Sequence, residues 1–336
     1  MKLLNLSPFI IGTALIFSAC EKEEFETETN TETTTTIDTT STNTTTDTST
    51  VTEWQGDATQ LTNFFTNNEA SAKQNFVVDV MAPTLISGQL GTTIQFYGNS
   101  FQDASGNSIT GNVDVELIEA YGKKDMLFLN KQTLGNNNGS FSPLVSGGEF
   151  KLTVSQGGSD VFLKDWYSYE VTIPAPDGID TEMNIFFQNS VTADTLVWAE
   201  ADSSMIFDVV GVYSAQLGSL GWINCDRFMS QAGDQTTISV TPPKGLTNKN
   251  CALFISFDGL NSLTSLYNFT NGSFTTGDYY TLPVGLDVHF IALSYINGVP
   301  HVAIVPSTIT ANHSEVINAL QATTVSQLTT DLVNLP

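Results

Sequence analysis

The stretch "NFVVDVMAPTLISGQLGTTIQFYGNSF", Asn75–Phe101, sets short β-branched and aromatic runs between glycine, proline and asparagine. That punctuation reads as strands joined by turns, not as helix. Strand-length runs continue at Thr92–Tyr97, Asn112–Ala120, Glu149–Ser155, Ser159–Leu163 and Tyr167–Ile173. With no helices between them, antiparallel sheets are expected. Asp103–Asn107 and Ser155–Ser159 carry the glycines that hairpin connections use for positive φ. Before the first strand, Leu61, Phe64 and Phe65 fall at helical spacing within residues 60–73, predicting one short amphipathic helix.

Toward the C-terminus, Pro174–Gly178 marks a boundary, because prolines end strand pairing and the segment offers little to bury. Asn184–Phe187 and Thr195–Ala199 read as a strand pair, and "GSLGWINCDRF", Gly218–Phe228, opens a second module. Its strands are expected at Thr236–Thr241, Cys251–Phe257, Thr264–Phe269, Leu286–Tyr295 and Val299–Val305, with Ser314–Gln321 open between strand and helix. Thr324 with Gln327 forms a capping box ahead of Leu328, Leu332 and Val333, so a short terminal helix follows. The expected fold is all-β, with two antiparallel β-sandwich-like modules at 58–176 and 218–336 and a connecting β region at 177–217.

The N-terminal end is of another kind. Lys2 and a hydrophobic run from Leu3 to Phe17 have signal-peptide proportions and are too short to span a bilayer as a helix. Ser18-Ala19-Cys20 then resembles a bacterial lipobox, which implies removal of residues 1–19 and acylation of Cys20; cleavage near Ala19 with Cys20 a plain thiol is the alternative. At about 0.8 kcal/mol per buried methylene, several acyl chains anchor firmly. Glu21–Glu24 leaves the membrane surface as a solvated acidic run, and its Lys-Glu-Glu resembles the export tag of surface lipoproteins in Bacteroidetes-type bacteria. Residues 20–57, dominated by threonine, serine, asparagine and acid, have too little to bury to order themselves. As a flexible tether of about 35 residues they would reach roughly 30 to 35 Å. Asp38-Thr39-Thr40 and Asp194-Thr195-Leu196 resemble a Bacteroidetes-type O-glycosylation acceptor, making Thr39 and Thr195 candidate sites.

The chain has 336 residues, with 35 acidic against 11 basic side chains and a formal charge of −24. That balance repels phosphate backbones, and Arg227 is the sole arginine, so no basic strip exists for nucleic acid.

"GTTIQFYGNSFQDASGNSITGNVDVELIEAYGKKDMLFLNKQT" followed by "LVSGGEFKLTV" resembles the β-rich domain of Bacteroidetes-type surface lipoproteins of uncharacterised activity. The resemblance rests on the Gly-Thr opening, Asn-Ser-Phe, the Val-x-Val-x-Leu-x-Glu strand, Asp-Met and Ser-Gly-Gly-Glu. "GWINCDRF" looks like a marker of that group's C-terminal half, and the likeness runs from about Gln74 to Leu335. The order of Asp-Met and Ser-Gly-Gly is similar to a motif in the cartilage intermediate layer protein, an extracellular β-sandwich protein. The resemblance implies an outer-membrane or cell-surface address and a fold class, and no reaction.

No nucleophile elbow, zinc-protease helix, phosphate loop or Cys-x-x-Cys pair is present, so no catalytic residue, metal or cofactor is assigned. Outside the cytoplasm Cys225 and Cys251 either form a disulfide, worth about 3 kcal/mol for a loop of about 26 residues, or stay separate buried thiols. His289, His301 and His313 are evenly spaced, but a two-residue turn at Asn297-Gly298 sets His289 opposite Pro306 and His301 opposite Ser294, on opposite faces. Asp103, Ser105 and Asn107 alternate as calcium ligands do, without the closing bidentate acid, and read as a turn. Arg227 is either a structural ion-pair partner or a ligand-carboxylate contact, and Trp166, Tyr167 and Tyr169 either stack on sugar rings or fill the core. The expected role is structural, adhesive or ligand-binding, for a glycan or protein ligand, with a two-carboxylate polysaccharide hydrolase or a scaffold subunit as alternatives.

Overall fold

The computed structural model describes residues 53–336 except 177, 193–194, 202–205 and 210. The expectations for the signal peptide, Cys20, Thr39 and nearly all of the tether fall outside those residues, as does the side chain of Thr195. The described chain is all-β, with three short helices.

An eight-stranded sheet runs in the order Gln74–Asp79, Asn112–Ala120, Ser140–Gln156, Gly221–Phe228, Asn184–Thr192, Thr195–Glu200 and Leu134–Asn137, with Ser159–Asp160 beside the long third strand. Opposite lies a five-stranded sheet ordered Ile206–Val209, Val212–Leu217, Tyr169–Pro174, Thr93–Phe96 and Thr84–Ser87. Because side chains alternate along a strand, Val113, Val115 and Leu117 share one face with Phe150, Leu152 and Val154, and meet Ile94, Phe96, Tyr169 and Val171 in a single core. At the end of the Val-x-Val-x-Leu-x-Glu strand, the Glu119 carboxylate accepts from the Leu90 and Thr92 amides at 2.9 Å and from the Gln74 side chain at 2.8 Å. That glutamate therefore staples a turn.

The second sandwich sets Leu263–Ser265, Cys251–Phe257, Asp287–Ile296, Val299–Thr308 and Gln321–Ala322 against Asn268–Thr270, Ser273–Thr275, Ile238–Thr241 and His313–Val316. Leu253, Ile255, Val288 and Phe290 face Ile238, Val240 and Phe274 across its core. The other face of the same five-stranded sheet carries Phe254, Ile291, Leu293 and Tyr295, and it is closed by the helices α1 (Ala58–Ser71), α2 (Lys123–Phe128) and α3 (Val325–Val333). Asp57 caps α1 and Thr324 caps α3, each accepting the amide three residues on. The Asn297-Gly298 turn has φ of 52° and 78°, and its register places His289 opposite Pro306 and Ser294 opposite His301, as the spacing required.

Three features depart from the sequence reading, and one that was left open is decided. Thr195–Glu200 with Leu134–Asn137, and Ile238–Thr241 with His313–Val316, pair in parallel, an outcome of tertiary return that no local turn announces. The strand Gly221–Phe228, expected to open the second module, lies inside the first sandwich because Ile223 and Cys225 complete that core. The short helix α2 was unforeseen, since six residues show no period; the Asp125 carboxylate caps it through the Tyr121 and Gly122 amides at 3.3 Å. Ser314–Gln321 divides into two short strand ends, His313–Val316 and Gln321–Ala322.

The sandwiches are joined by hydrogen bonds between the segment Tyr121–Ser146 and the loop Asn261–Ser265. Asn261 donates its side-chain amide to the carbonyls of Tyr121 and Ser146 at 2.9 Å each, and Thr133 and Leu263 exchange backbone and hydroxyl bonds. Helix α1 braces both sandwiches: Phe64 packs on Tyr295, while Glu69 reaches Lys151 of the large sheet at 2.9 Å.

Neighbouring residues of α3 test this packing. Leu332 is fully buried and Val333 is 65% exposed. Replacing Leu332 by Ala should cost about 2–5 kcal/mol in urea unfolding, whereas Val333→Ala should stay within about 0.5 kcal/mol. Equal effects would contradict the docking of α3.

Candidate functional site

The long strand Ser140–Gln156 is bulged where it crosses Gly221–Phe228: Asn224 pairs with Glu149 but Asp226 with Ser146, one residue too many on the long strand. Gly147 and Gly148 make the bulge. A side chain at 147 would press on the Cys225 carbonyl, and Gly148 has φ of +136° with the Tyr121 ring against it. Ser-Gly-Gly-Glu and GWINCDRF thus meet, and the bulge brings Ser146, Glu149, Asn224 and Asp226 into one buried cluster.

Within it the Asn224 amide nitrogen donates to Asp226 Oδ2 at 2.5 Å and, at 3.5 Å, weakly to Glu149 Oε1. Ser146 donates to Asn224 Oδ1 at 3.2 Å. Burial pushes both carboxyls well above the ordinary carboxylate range, and for Glu149 the neighbouring Asp226 adds to it. Hydrogen bonding from Ser146, Asn224 and the Gly147 amide favours the charged form of Asp226, yet its Oδ1 and Glu149 Oε2 have no hydrogen-bond partner of good geometry among the described residues. Lys131 also favours charge on Glu149, but its ammonium faces Glu69 at 4.0 Å and the Trp222 ring at 4.9 Å.

The other sequence candidates scatter. Arg227 lies on the opposite face from Asp226 and donates from Nε to Asp180 at 2.6 Å, a structural pair. Trp166 is fully exposed at φ +68°, and Tyr167 is part-exposed beneath the Lys164 ammonium. Tyr169 is not a binding residue: strand alternation turns it into the core, where its hydroxyl donates to the Ser219 carbonyl at 2.8 Å. Asp103 accepts from the amides of Ser105 and Asn107 and from the Asn107 side chain, which makes it a turn.

The three histidines occupy three places. His289 binds Asp258 at 2.8 Å, His301 meets Trp54 edge-on, and His313 stacks on Phe290. Ser256 lies directly across the ladder from His289, but it is wholly buried and its hydroxyl makes no bond to the imidazole, so the trio lacks an accessible nucleophile. Among the described residues no group of three His, Cys, Asp or Glu gathers as a metal site.

A cleft of about 850 Å³ opens where α1, the segment Asn130–Gln132 and the loops Asn248–Lys249 and Tyr267–Asn268 converge. Rings define it: Phe65 on α1, then Tyr267 and Tyr279 with centroids 5.7 Å apart, then Phe269 edge-on to Phe274. Phe141 stacks behind Tyr279 at 6.3 Å and holds it in place. Burial, and Tyr279 beside it, raise the Tyr267 phenol, so it stays a neutral hydrogen-bonding group. The amide side chains Asn130, Asn248 and Asn268 stand among the rings, and among the described residues the charged lining side chains are Lys131 and Lys249, without a carboxylate. In a chain of charge −24 that is a local exception. Nothing in the sequence marked this cleft, because its rings come from segments far apart, Phe65 from the expected helix and Tyr267 and Phe269 from an expected strand, which no local pattern brings together.

No family model matches the chain, and no curated protein matches it. Among solved structures, the N-terminal domain of the Streptococcus gordonii adhesin Sgo0707 aligns at 8% identity over 71% of this chain and 90% of that one, with a TM-score of 0.10, a level that carries no argument.

Cys225 and Cys251 are free thiols in separate cores, which replaces the disulfide alternative with the buried-thiol one. Burial pushes the Cys251 thiol up to about 12 and raises Cys225 as well. Neither should react with a thiol reagent at pH 8 in the folded protein, and both should react after denaturation. Rapid labelling of either in the native state would contradict their placement.

Proposed function

We propose that this chain is a lipid-anchored ligand-capture or adhesion protein of the cell surface or outer membrane, and that its cleft takes a saccharide. The observation that carries the reading is the run of Phe65, Tyr267, Tyr279 and Phe269 interleaved with amide side chains in one open cleft. Sugar rings present apolar C–H faces and a rim of hydroxyls. Aromatic faces and neutral amides match those two surfaces.

The hydrolase alternative calls for two carboxylates about 5–9.5 Å apart flanking a substrate. Here the cleft lining has no carboxylate among the described residues, and the close pair Glu149 and Asp226 is shut inside the protein. Binding without cleavage is therefore the better reading. The lipobox-like Ser18-Ala19-Cys20, the acidic start and the threonine-rich segment support attachment by acylated Cys20 on a tether, with the membrane as partner. The resemblance to surface lipoproteins supports the outward address.

Two measurements bear on this. On a glycan array, Tyr267→Ala and Tyr279→Ala should each weaken retained binding about tenfold or more, while Trp166→Ala, outside the cleft, should leave it unchanged; binding unaffected by both tyrosine changes would overturn the cleft assignment. Separately, Cys20→Ala should move the protein from the membrane to the soluble fraction, and its retention in the membrane fraction would overturn the anchor.

A further inference from the structure

The buried cluster at the bulge has a composition that the capture reading does not use. Four side chains converge from two strands: the carboxylates of Glu149 and Asp226, the hydroxyl of Ser146 and the amide of Asn224. Two carboxylate oxygens there, Glu149 Oε2 and Asp226 Oδ1, are wholly enclosed and have no hydrogen-bond partner of good geometry among the described residues. An enclosed carboxylate oxygen with nothing to accept is costly, and two together repel each other when charged. Lys131 is already shared with Glu69 and Trp222. The cluster thus holds two acids and lacks a positive charge of its own.

We propose that Ser146, Glu149, Asn224 and Asp226 form a site for one hard divalent cation of calcium type. Every donor is oxygen, which selects calcium or magnesium over zinc or copper. Two bidentate carboxylates, one hydroxyl and one amide oxygen supply about six ligands, at the lower end of the calcium range. The side-chain amide of Asn224 is nearly symmetric in shape, and exchanging its nitrogen and oxygen turns Oδ1 toward both carboxylates. Tyr121 and Asn261, which close over Gly148 and the Ser146 carbonyl, also line a surface cleft of about 490 Å³, so solvent lies just outside. Because Asn261 comes from the second sandwich and the four ligands from the first, the ion would stiffen the junction between them.

The test is thermal unfolding of the full protein at pH 7, first stripped with a chelator and then titrated with calcium chloride, beside calorimetric titration of the same ion. The expected result is one ion per chain and a melting temperature raised by about 5–10 °C at saturation. Glu149→Gln and Asp226→Asn should each abolish that rise. Calorimetry on the unaltered protein keeps the test open if a variant fails to fold. Absence of a saturable one-ion isotherm, or a rise of equal size in both variants, overturns the site; the latter assigns the ion to the acidic surface. A melting temperature that climbs from pH 8 to pH 5 and ignores calcium and magnesium overturns it too, since the pair would then be neutralised by protons.

Discussion

Two carboxylates, Glu149 and Asp226, are shut inside the protein at the place where its two sandwiches meet, and the surrounding chain is organised around that constraint. The bulge at Gly147-Gly148 exists because a regular ladder would turn alternate residues away from the junction. Glycine is required twice there, once against the Cys225 carbonyl and once for a positive φ under the Tyr121 ring. Tyr121 and Ser146 are in turn fixed by Asn261 from the neighbouring sandwich. The buried acids, the backbone bulge, the Tyr121 ring and the bonds between the two layers thus meet at one point.

Charge is distributed with the same economy elsewhere. The chain carries a large excess of acid, yet among the described residues the aromatic cleft is lined by two lysines and no carboxylate. A neutral or anionic saccharide would meet no repulsion there, while the acidic remainder of the surface disfavours nucleic acid and anionic lipid. On the proposed reading the tether and the cleft divide the work: the first supplies location and reach, the second supplies recognition.

Much of the fold was legible in the chain. Asn112–Ala120 and Cys251–Phe257 were readable to the residue because their apolar and β-branched runs end at clear turns. The Asn297-Gly298 register followed from arithmetic on a two-residue turn, and with it the separation of His289 from His301. What escaped was non-local. Gly221–Phe228 looked like the opening of a new module, because sequence proximity cannot reveal that its partner is a strand about 75 residues earlier, reached by a long-range pairing. Tyr169 could not be told from Tyr167 because both would share one face of a continuous strand; the strand begins only at Tyr169, and Tyr167 lies in the turn before it.

The sequence by itself determined fold class, strand and turn chemistry, helix caps and the change from an acidic, threonine-rich segment to a folding one. These depend on neighbours a few residues apart, where backbone stereochemistry and side-chain alternation act directly. Only the tertiary structure decided that Ser-Gly-Gly-Glu and GWINCDRF converge on one buried cluster, that the two cysteines lie apart, and that Phe65, Tyr267 and Tyr279 face one cleft. Those outcomes follow from which strands pair across long separations, and the free energy of such pairings comes from burial shared by the whole core.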